Sequence, residues 1–295
     1  MKLWENYHLA QDVNDALSVL AASTGSARII SGGTDLLLDL QQGRHPPLHT
    51  LVDVTAIPEM TGIQIRQDYV FVGAAVPLNQ IVSSPILKEQ ALALVEACSL
   101  IGGPQVRNTA TLGGNVAHAL PAADGTIALL ALDAQAEVAA FDAGTDERRL
   151  VPLEQMFLGP GKSALDQRNE LLIGFRITPG KEESASSFQR VMRPQGVAIA
   201  ILNMAIWLQR RDDLVEDIHI AVGPAGPKPF RMSAAEDVLR GQPFDDLLKE
   251  RALAALQSQA HFRTSRHRST KAYRQHVVGV LFREVLARTW ERTYS

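Results

Sequence analysis

The feature that most constrains this chain is an apolar strand running straight into two glycines and then a helical pattern: Arg28-Ile29-Ile30-Ser31-Gly32-Gly33-Thr34-Asp35-Leu36. A strand that turns this sharply into a helix belongs to an α/β unit. Two glycines at the turn also let backbone approach a ligand closely, so that successive N–H groups face a phosphate at the positive end of the helix. Thr34 adds a hydroxyl donor. Taken alone, the segment is equally compatible with a tight turn in which Thr34 or Asp35 caps the helix.

The same logic recurs at Thr111-Leu112-Gly113-Gly114-Asn115, where a Thr and an Asn flank two glycines. Two such loops suit one diphosphate. Downstream, Asp124 offers a carboxylate that accepts several hydrogen bonds and so suits ribose or ribityl hydroxyls; a lone Asp before Gly125 also suits a turn.

The length of 295 residues exceeds the usual size of a single core and predicts two or three units. With 46% hydrophobic and 21% charged residues the composition is that of an ordinary folded protein. No apolar run of about 18 residues predicts a membrane span, and the N-terminus lacks the apolar core of a signal peptide, so a cytoplasmic location is expected. A net charge of −3 argues against nucleic acid as a partner. The single cysteine, Cys98, lies in an apolar run and reads as a buried, inert thiol. One cysteine provides neither a disulfide nor the thiolates of an iron–sulfur cluster or zinc site. Charge is nevertheless uneven: His261 to Arg274 carries Arg263, Arg266, Arg268, Lys271 and Arg274 without an acid. That segment reads either as a solvated helix start or as a surface for an acidic partner.

Along the chain, Val13 to Ala22 has helical spacing, while Ala27 to Ile30 and Leu51 to Val54 read as strands. The alternation at Ile63, Ile65 and Tyr69 to Gly73 predicts a hairpin, followed by helical Pro77 to Ser83 and Ala91 to Leu100. Helical Thr126 to Asp133, the strand Ala136 to Phe141, a return strand after Arg148 and the strand Glu170 to Ile177 complete this part. Pro179 to Ser184 reads as a polar linker. Beyond it, Ala198 to Leu208 is apolar, His219 to Val222 is a strand, and Gly223 to Pro229 a loop. Ala234 to Leu239, Leu247 to Leu256 and Ala272 to Thr289 carry helical spacing, the last burying Val277, Val280, Leu281 and Leu286. These elements divide as 1–60, 61–180 and 184–295.

Taken together, the two glycine loops resemble those of the flavoprotein subunits of molybdenum hydroxylases, the family of carbon monoxide dehydrogenase medium subunits and xanthine dehydrogenase FAD-binding subunits. Ser31-Gly32-Gly33-Thr34-Asp35 looks like the first pyrophosphate loop and Thr111-Leu112-Gly113-Gly114-Asn115 like the second. A third landmark, Phe157 to Ser163 followed by Glu170-Leu171-Leu172, resembles the last strand beside the isoalloxazine ring. The resemblance covers essentially the whole chain.

It implies an α+β fold: a two-part FAD-binding domain of the vanillyl-alcohol-oxidase type, then a C-terminal α+β domain with a small antiparallel sheet and helices. It further implies non-covalent FAD, with Ile29, Ile30, Ser31, Gly32, Gly33, Thr34, Asp35 and Leu36 around the pyrophosphate and Thr111, Gly113, Gly114 and Asn115 completing the cradle. Ile101, Asp124, Leu171 and Leu172 fall where the family makes further flavin contacts. Gln189 or Arg190 is placed near the flavin, where a cation stabilises its reduced anionic form.

The implied role is electron transfer within an oxidoreductase, with no acid, base or nucleophile of its own. Iron–sulfur clusters and the molybdenum cofactor are expected on partners, a small iron–sulfur subunit and a large molybdenum subunit, in a dimer of heterotrimers. The alternatives are a self-contained flavin oxidoreductase of the same fold and a non-enzymatic nucleotide-binding protein. Gly161-Lys162-Ser163 ends like a P-loop, but Met156 occupies the position of the required earlier glycine. His118 adjoins the second loop, either as a hydrogen-bonded structural residue or as a point of covalent flavin attachment; the resemblance implies the former. No His pair stands at metal-binding spacing.

Overall fold

The chain opens as a β-α-β-α-β run: β1 (Trp4–Leu9), α1 (Val13–Ala22), β2 (Ala27–Ile30), α2 (Leu36–Gln41) and β3 (Leu48–Asp53). The computed structural model describes residues 2–142, 145–193, 199–266 and 268–294. These first strands pair in parallel, in the order β1-β3-β2. β1 was not anticipated: its side chains are mostly exposed, so Trp-Glu-Asn-Tyr-His-Leu lacks the apolar alternation that marks a strand, and backbone pairing along the sheet edge holds it.

Helix α1 begins where the Asp12 side chain accepts the Asp15 N–H at 2.8 Å, and it buries Val13, Ala16, Leu17 and Leu20. Those residues do not form a core with the parallel sheet alone. They join the large cluster that contains Phe71, Val138 and Phe175 of the next sheet, while Ile30, Leu40, Leu48 and Leu51 form only a small separate cluster. Each fully buried Leu contributes about 1.5–3 kcal/mol. The first unit is therefore anchored by apolar burial shared with the second.

The hairpin β4 (Ile63–Arg66) and β5 (Tyr69–Gly73) turns at Gln67, which adopts a positive φ of 42°. Short helices follow: α3 (Leu78–Ser83), α4 (Pro85–Gln90), α5 (Leu92–Ser99), α6 (Pro104–Arg107), α7 (Leu112–Ala117) and α8 (Asp124–Ala131). Then come β6 (Gln135–Asp142), β7 (Thr145–Pro152), the small pair β8 (Phe157–Gly159) and β9 (Lys162–Ser163), and β10 (Glu170–Ile177). A five-stranded antiparallel sheet results, in the order β4-β5-β10-β6-β7. Chain-distant β10 lies at its centre and is buried almost throughout, hence its apolar run. The return strand β7 begins earlier than expected, because Glu147, Arg148 and Arg149 lie within it and hide it from an apolar pattern.

A second antiparallel sheet, β11-β12-β13-β14, is made by β11 (Ser184–Val191), β12 (Leu202–Arg211), β13 (Leu214–Gly223) and β14 (Gln242–Pro243). Its helices are α9 (Ser233–Leu239), α10 (Asp246–Gln259) and α11 (Lys271–Arg292). β11 starts within the stretch that reads as linker: its serines look like loop residues, yet Ser186 and Ser187 are buried and hydrogen-bonded. Along β12, Leu202, Met204, Ile206 and Leu208 face the core shared with the helices, while Ala205 joins the large first core. In α11, Val277, Leu281 and Leu286 are buried as expected. Val280 is not; it is 46% exposed, because it lies off the arc occupied by Arg274, Val278, Leu281 and Val285.

Candidate functional site: a cavity between two glycine loops

The two glycine loops touch through their backbones. A Cβ on Gly32 would lie 2.2 Å from the Thr109 carbonyl oxygen and 2.8 Å from Ala110 Cα, so no other residue fits without parting the loops. Gly33 has a φ of +68°, the left-handed conformation that turns β2 into α2. In the second loop, Gly113 packs onto the end of β5, where an added Cβ would meet Ala74 at 2.6 Å.

Beside this junction opens a cavity of about 460 Å³, within the range of small-molecule sites. Its lining includes Ile29, Ile30, Ser31, Gly32, Gly33, Thr34, Asp35 and Leu36 from the first loop, and Thr111, Gly113, Gly114 and Asn115 from the second. Ile101 follows α5, and Leu171 and Leu172 lie on β10; all three reach the same cavity. Also lining it are Arg28, the His118 that adjoins the second loop, Ser163 and Glu170 of the third landmark, and Gln167, which the sequence did not single out. Arg28 was legible only as the residue before the loop. The last three come from the β9–β10 connection and its end, whose approach to the loops depends on the sheet.

The loops differ in what they offer. None of the described residues provides an acceptor to the N–H of Gly32, Gly33, Thr34, Asp35 or Leu36, and no side chain caps α2. The Ser31 hydroxyl is buried without a hydrogen-bond partner. Arg28, beside them, has no carboxylate partner, and burial lowers the pKa of its guanidinium. The first N–H groups of a helix have no intrahelical acceptor, and here they stand with the buried Ser31 hydroxyl and Arg28 in one wall, a set of donors that fits an anionic group.

In the second loop four of the five backbone amides are spent. Leu112 N–H donates to Val76, Gly113 N–H to Ala74 at 2.8 Å, Gly114 N–H to the Thr111 hydroxyl oxygen at 3.2 Å, and Asn115 N–H to Thr111. The Asn115 carbonyl oxygen of the side chain accepts from Thr126 N–H. What remains is the Thr111 N–H, the Thr111 hydroxyl hydrogen and the Asn115 amide NH2. The first loop thus supplies most of the anion recognition and the second braces it. Ile101, Leu171 and Leu172 add apolar wall, suited to an aromatic ring system.

Asp124, Gln189 and Arg190 are not brought to the cavity lining. The Asp124 carboxylate accepts from Arg190 Nη1 and from Asn203 Nδ2, each at 2.5 Å. Both charged side chains are buried, at 5% and 6% exposure. Burial pushes the Asp124 carboxyl up, while Arg190 and Asn203 pull it down. Gln189 donates to Glu284 at 3.0 Å. These contacts tie the start of α8 to β11 and β12, and β11 to α11. Pro194 and Val197, in the stretch following Arg190, lie outside the described residues.

His118 faces the cavity with no side-chain hydrogen bond among the described residues, in contrast to the structural role expected of it. Cys98 is fully buried, and burial pushes its thiol pKa up, as an inert thiol requires. Among the described residues no helix is long and apolar enough to cross a membrane, and no group of three or more His, Cys, Asp or Glu forms a metal site.

Comparison with known proteins agrees with a flavin site. Residues 3–178 match the family described as the FAD binding domain in molybdopterin dehydrogenase, and residues 186–289 match the CO dehydrogenase flavoprotein C-terminal domain. The chain is 30% identical over 286 residues to the xanthine dehydrogenase FAD-binding subunit of Escherichia coli O157:H7, covering 96% of this chain and 94% of that protein. It is 30% identical over 238 residues to the carbon monoxide dehydrogenase medium chain of Hydrogenophaga pseudoflava, covering 81% and 80%. A solved structure of carbon monoxide dehydrogenase from the same organism, lacking the Mo-pyranopterin moiety, superposes with a TM-score of 0.91 at 27% identity, covering 99% of both chains.

Proposed function

This chain belongs to the FAD-binding medium subunits of the molybdenum hydroxylases, and from that premise we propose that it holds FAD non-covalently and serves as the electron-relay subunit of a dehydrogenase. The observation that carries the reading is the run of unpaired N–H groups from Gly32 to Leu36, with the partnerless Ser31 hydroxyl, at the junction of the two loops. These donors bind and orient a diphosphate, and Arg28 neutralises part of its charge. Thr111 and Asn115 complete the cradle from the other side. Ile101, Leu171 and Leu172 exclude water from the ring system. Asp124 and Arg190 act at a distance in this reading, by clamping β11 and β12 onto α8.

When bound, FAD supplies the redox chemistry, taking electrons from the iron–sulfur clusters of a small partner subunit and passing them to an external acceptor. The sole cysteine of this chain provides no cluster ligand set, which supports placing the clusters on that partner and the molybdenum cofactor on a large one. A cytoplasmic dimer of heterotrimers with units 1–60, 61–180 and 184–295 in each copy of this chain completes the proposal.

The test is to isolate the complex from its native host through a tag on this chain and measure flavin, iron and molybdenum per copy. Reducing substrate should bleach the flavin band in the complex and leave that of the isolated chain untouched. Bleaching of the isolated chain by substrate would instead identify a self-contained flavin enzyme.

A further inference from the structure

Between α10 and α11, positive charge accumulates without an answering acid. Arg263, Arg266 and Lys271 are exposed and Arg268 is half-exposed, and their side chains have no ion-pair or hydrogen-bond partner among the described residues. Beneath them lies Arg274, only 2% exposed. Its Nη1 donates to the Arg263 carbonyl oxygen at 2.7 Å, but its Nε is buried with no partner and no carboxylate reaches the guanidinium. The N-terminus of the 22-residue α11 adds its own positive end, and its first turn contains no acidic residue.

Several other buried or half-buried arginines of this chain are answered by a carboxylate, whereas Arg28 in the cavity wall is not and Arg107 donates only to the Ile101 and Gly102 carbonyl oxygens. Arg190 pairs with Asp124, Arg231 with Glu236 and Arg292 with Glu96. A buried guanidinium without a carboxylate is costly, and four further cations around it raise that cost. Burial, together with the charges of Arg268 and Arg263, lowers the pKa of Arg274, consistent with uncompensated repulsion.

From this cluster we infer a docking surface: Arg263, Arg266, Arg268 and Lys271 receive an acidic segment of a partner subunit, whose carboxylates offset their charge and that of the buried Arg274 guanidinium. The inference rests on the reading that the chain works in a multi-subunit complex. A protein surface fits better than a small anion, because the four outer cations are spread from the α10–α11 connection to the first residue of α11, three of them exposed. Nucleic acid fits poorly, because these five charges belong to a chain whose net charge is −3.

The test uses the intact complex and the full chain. Carbodiimide treatment should join Lys271 to an Asp or Glu of a partner subunit, located by peptide mass spectrometry, and assembly should protect Lys271 from acetylation. The variant R263E/R266E/R268E should retain its flavin, while its dissociation constant for the partner rises about tenfold or more and the salt dependence of binding flattens. Unchanged acetylation of Lys271 on assembly, with a dissociation constant within about twofold of wild type, would overturn the proposal. Coupling to a second copy of this chain would do the same, as would protection by inorganic phosphate alone with none by the partner. A flavin-loaded chain that isolates without other subunits defeats the assembly reading and this proposal with it. A complex that forms without flavin defeats only the flavin reading.

Discussion

Replacing Gly32 with alanine should damage both the fold and the flavin site. The new Cβ would stand 2.2 Å from the Thr109 carbonyl oxygen and 2.8 Å from Ala110 Cα, and both are backbone atoms that cannot rotate away. Reaching ordinary contact requires the loops to part by about 1 Å, since nonbonded atoms settle near 3.5 Å or slightly less. Overpacking of this kind costs about 1–3 kcal/mol. For a chain of this size that is a drop of roughly 2–5 °C in Tm. The same displacement pulls the Gly32 to Leu36 N–H groups away from a diphosphate. Hydrogen bonds to a charged group are each worth about 1.5–3 kcal/mol, so losing one raises the FAD Kd by roughly ten- to 150-fold. Calorimetry on the flavin-free chain measures the first effect and flavin fluorescence titration the second. A variant with Tm within about 1 °C and Kd within about threefold of wild type would refute the argument from loop contact.

Ser31→Ala should separate binding from stability: the buried hydroxyl has no partner in the chain, so the flavin-free variant unfolds no earlier than wild type, while FAD binds about tenfold more weakly by titration. Arg190→Met leaves the buried Asp124 carboxylate without its cation and should cost about 3–5 kcal/mol in denaturant unfolding, with Asp124→Asn less severe. His219 is stacked on Trp207 at 5.0 Å, its Nδ1 is buried without a partner, and burial first, then Arg231, lowers its pKa below the ordinary 6.5. The unfolded chain then binds the proton more readily, so stability is full above about pH 6.5 and falls as pH drops through the lowered folded value. Thermal scans from pH 8 to 5 should show that fall in wild type and a flatter profile in His219→Gln.

Sequence periodicity marked the elements whose burial is one-sided or complete. Helix α1 follows its Asp12 cap, and β10 its continuous apolar run. Elements held chiefly by backbone pairing or buried hydroxyls gave no such signal: β1 is largely exposed, and β11 buries Ser186 and Ser187, whose hydroxyls are met by Ala93 and Arg292 from distant parts of the chain. Val280 shows the limit of spacing within a helix, since apolar identity alone does not say which arc faces the core. Within the site, the glycine loops were legible because close approach and positive φ leave a mark in the residue type. Asp124 illustrates the opposite case. A carboxylate near a loop looks like a ligand for sugar hydroxyls until the fold brings Arg190 and Asn203 to it from far along the chain.

The central claim, a non-covalent FAD between two glycine loops, is tested most directly by the visible spectrum of the natively purified protein before and after acid precipitation. The account predicts flavin bands in the protein that pass into the supernatant as FAD, one per chain, leaving a colourless pellet. A protein that carries no flavin and takes up none from excess FAD would contradict it.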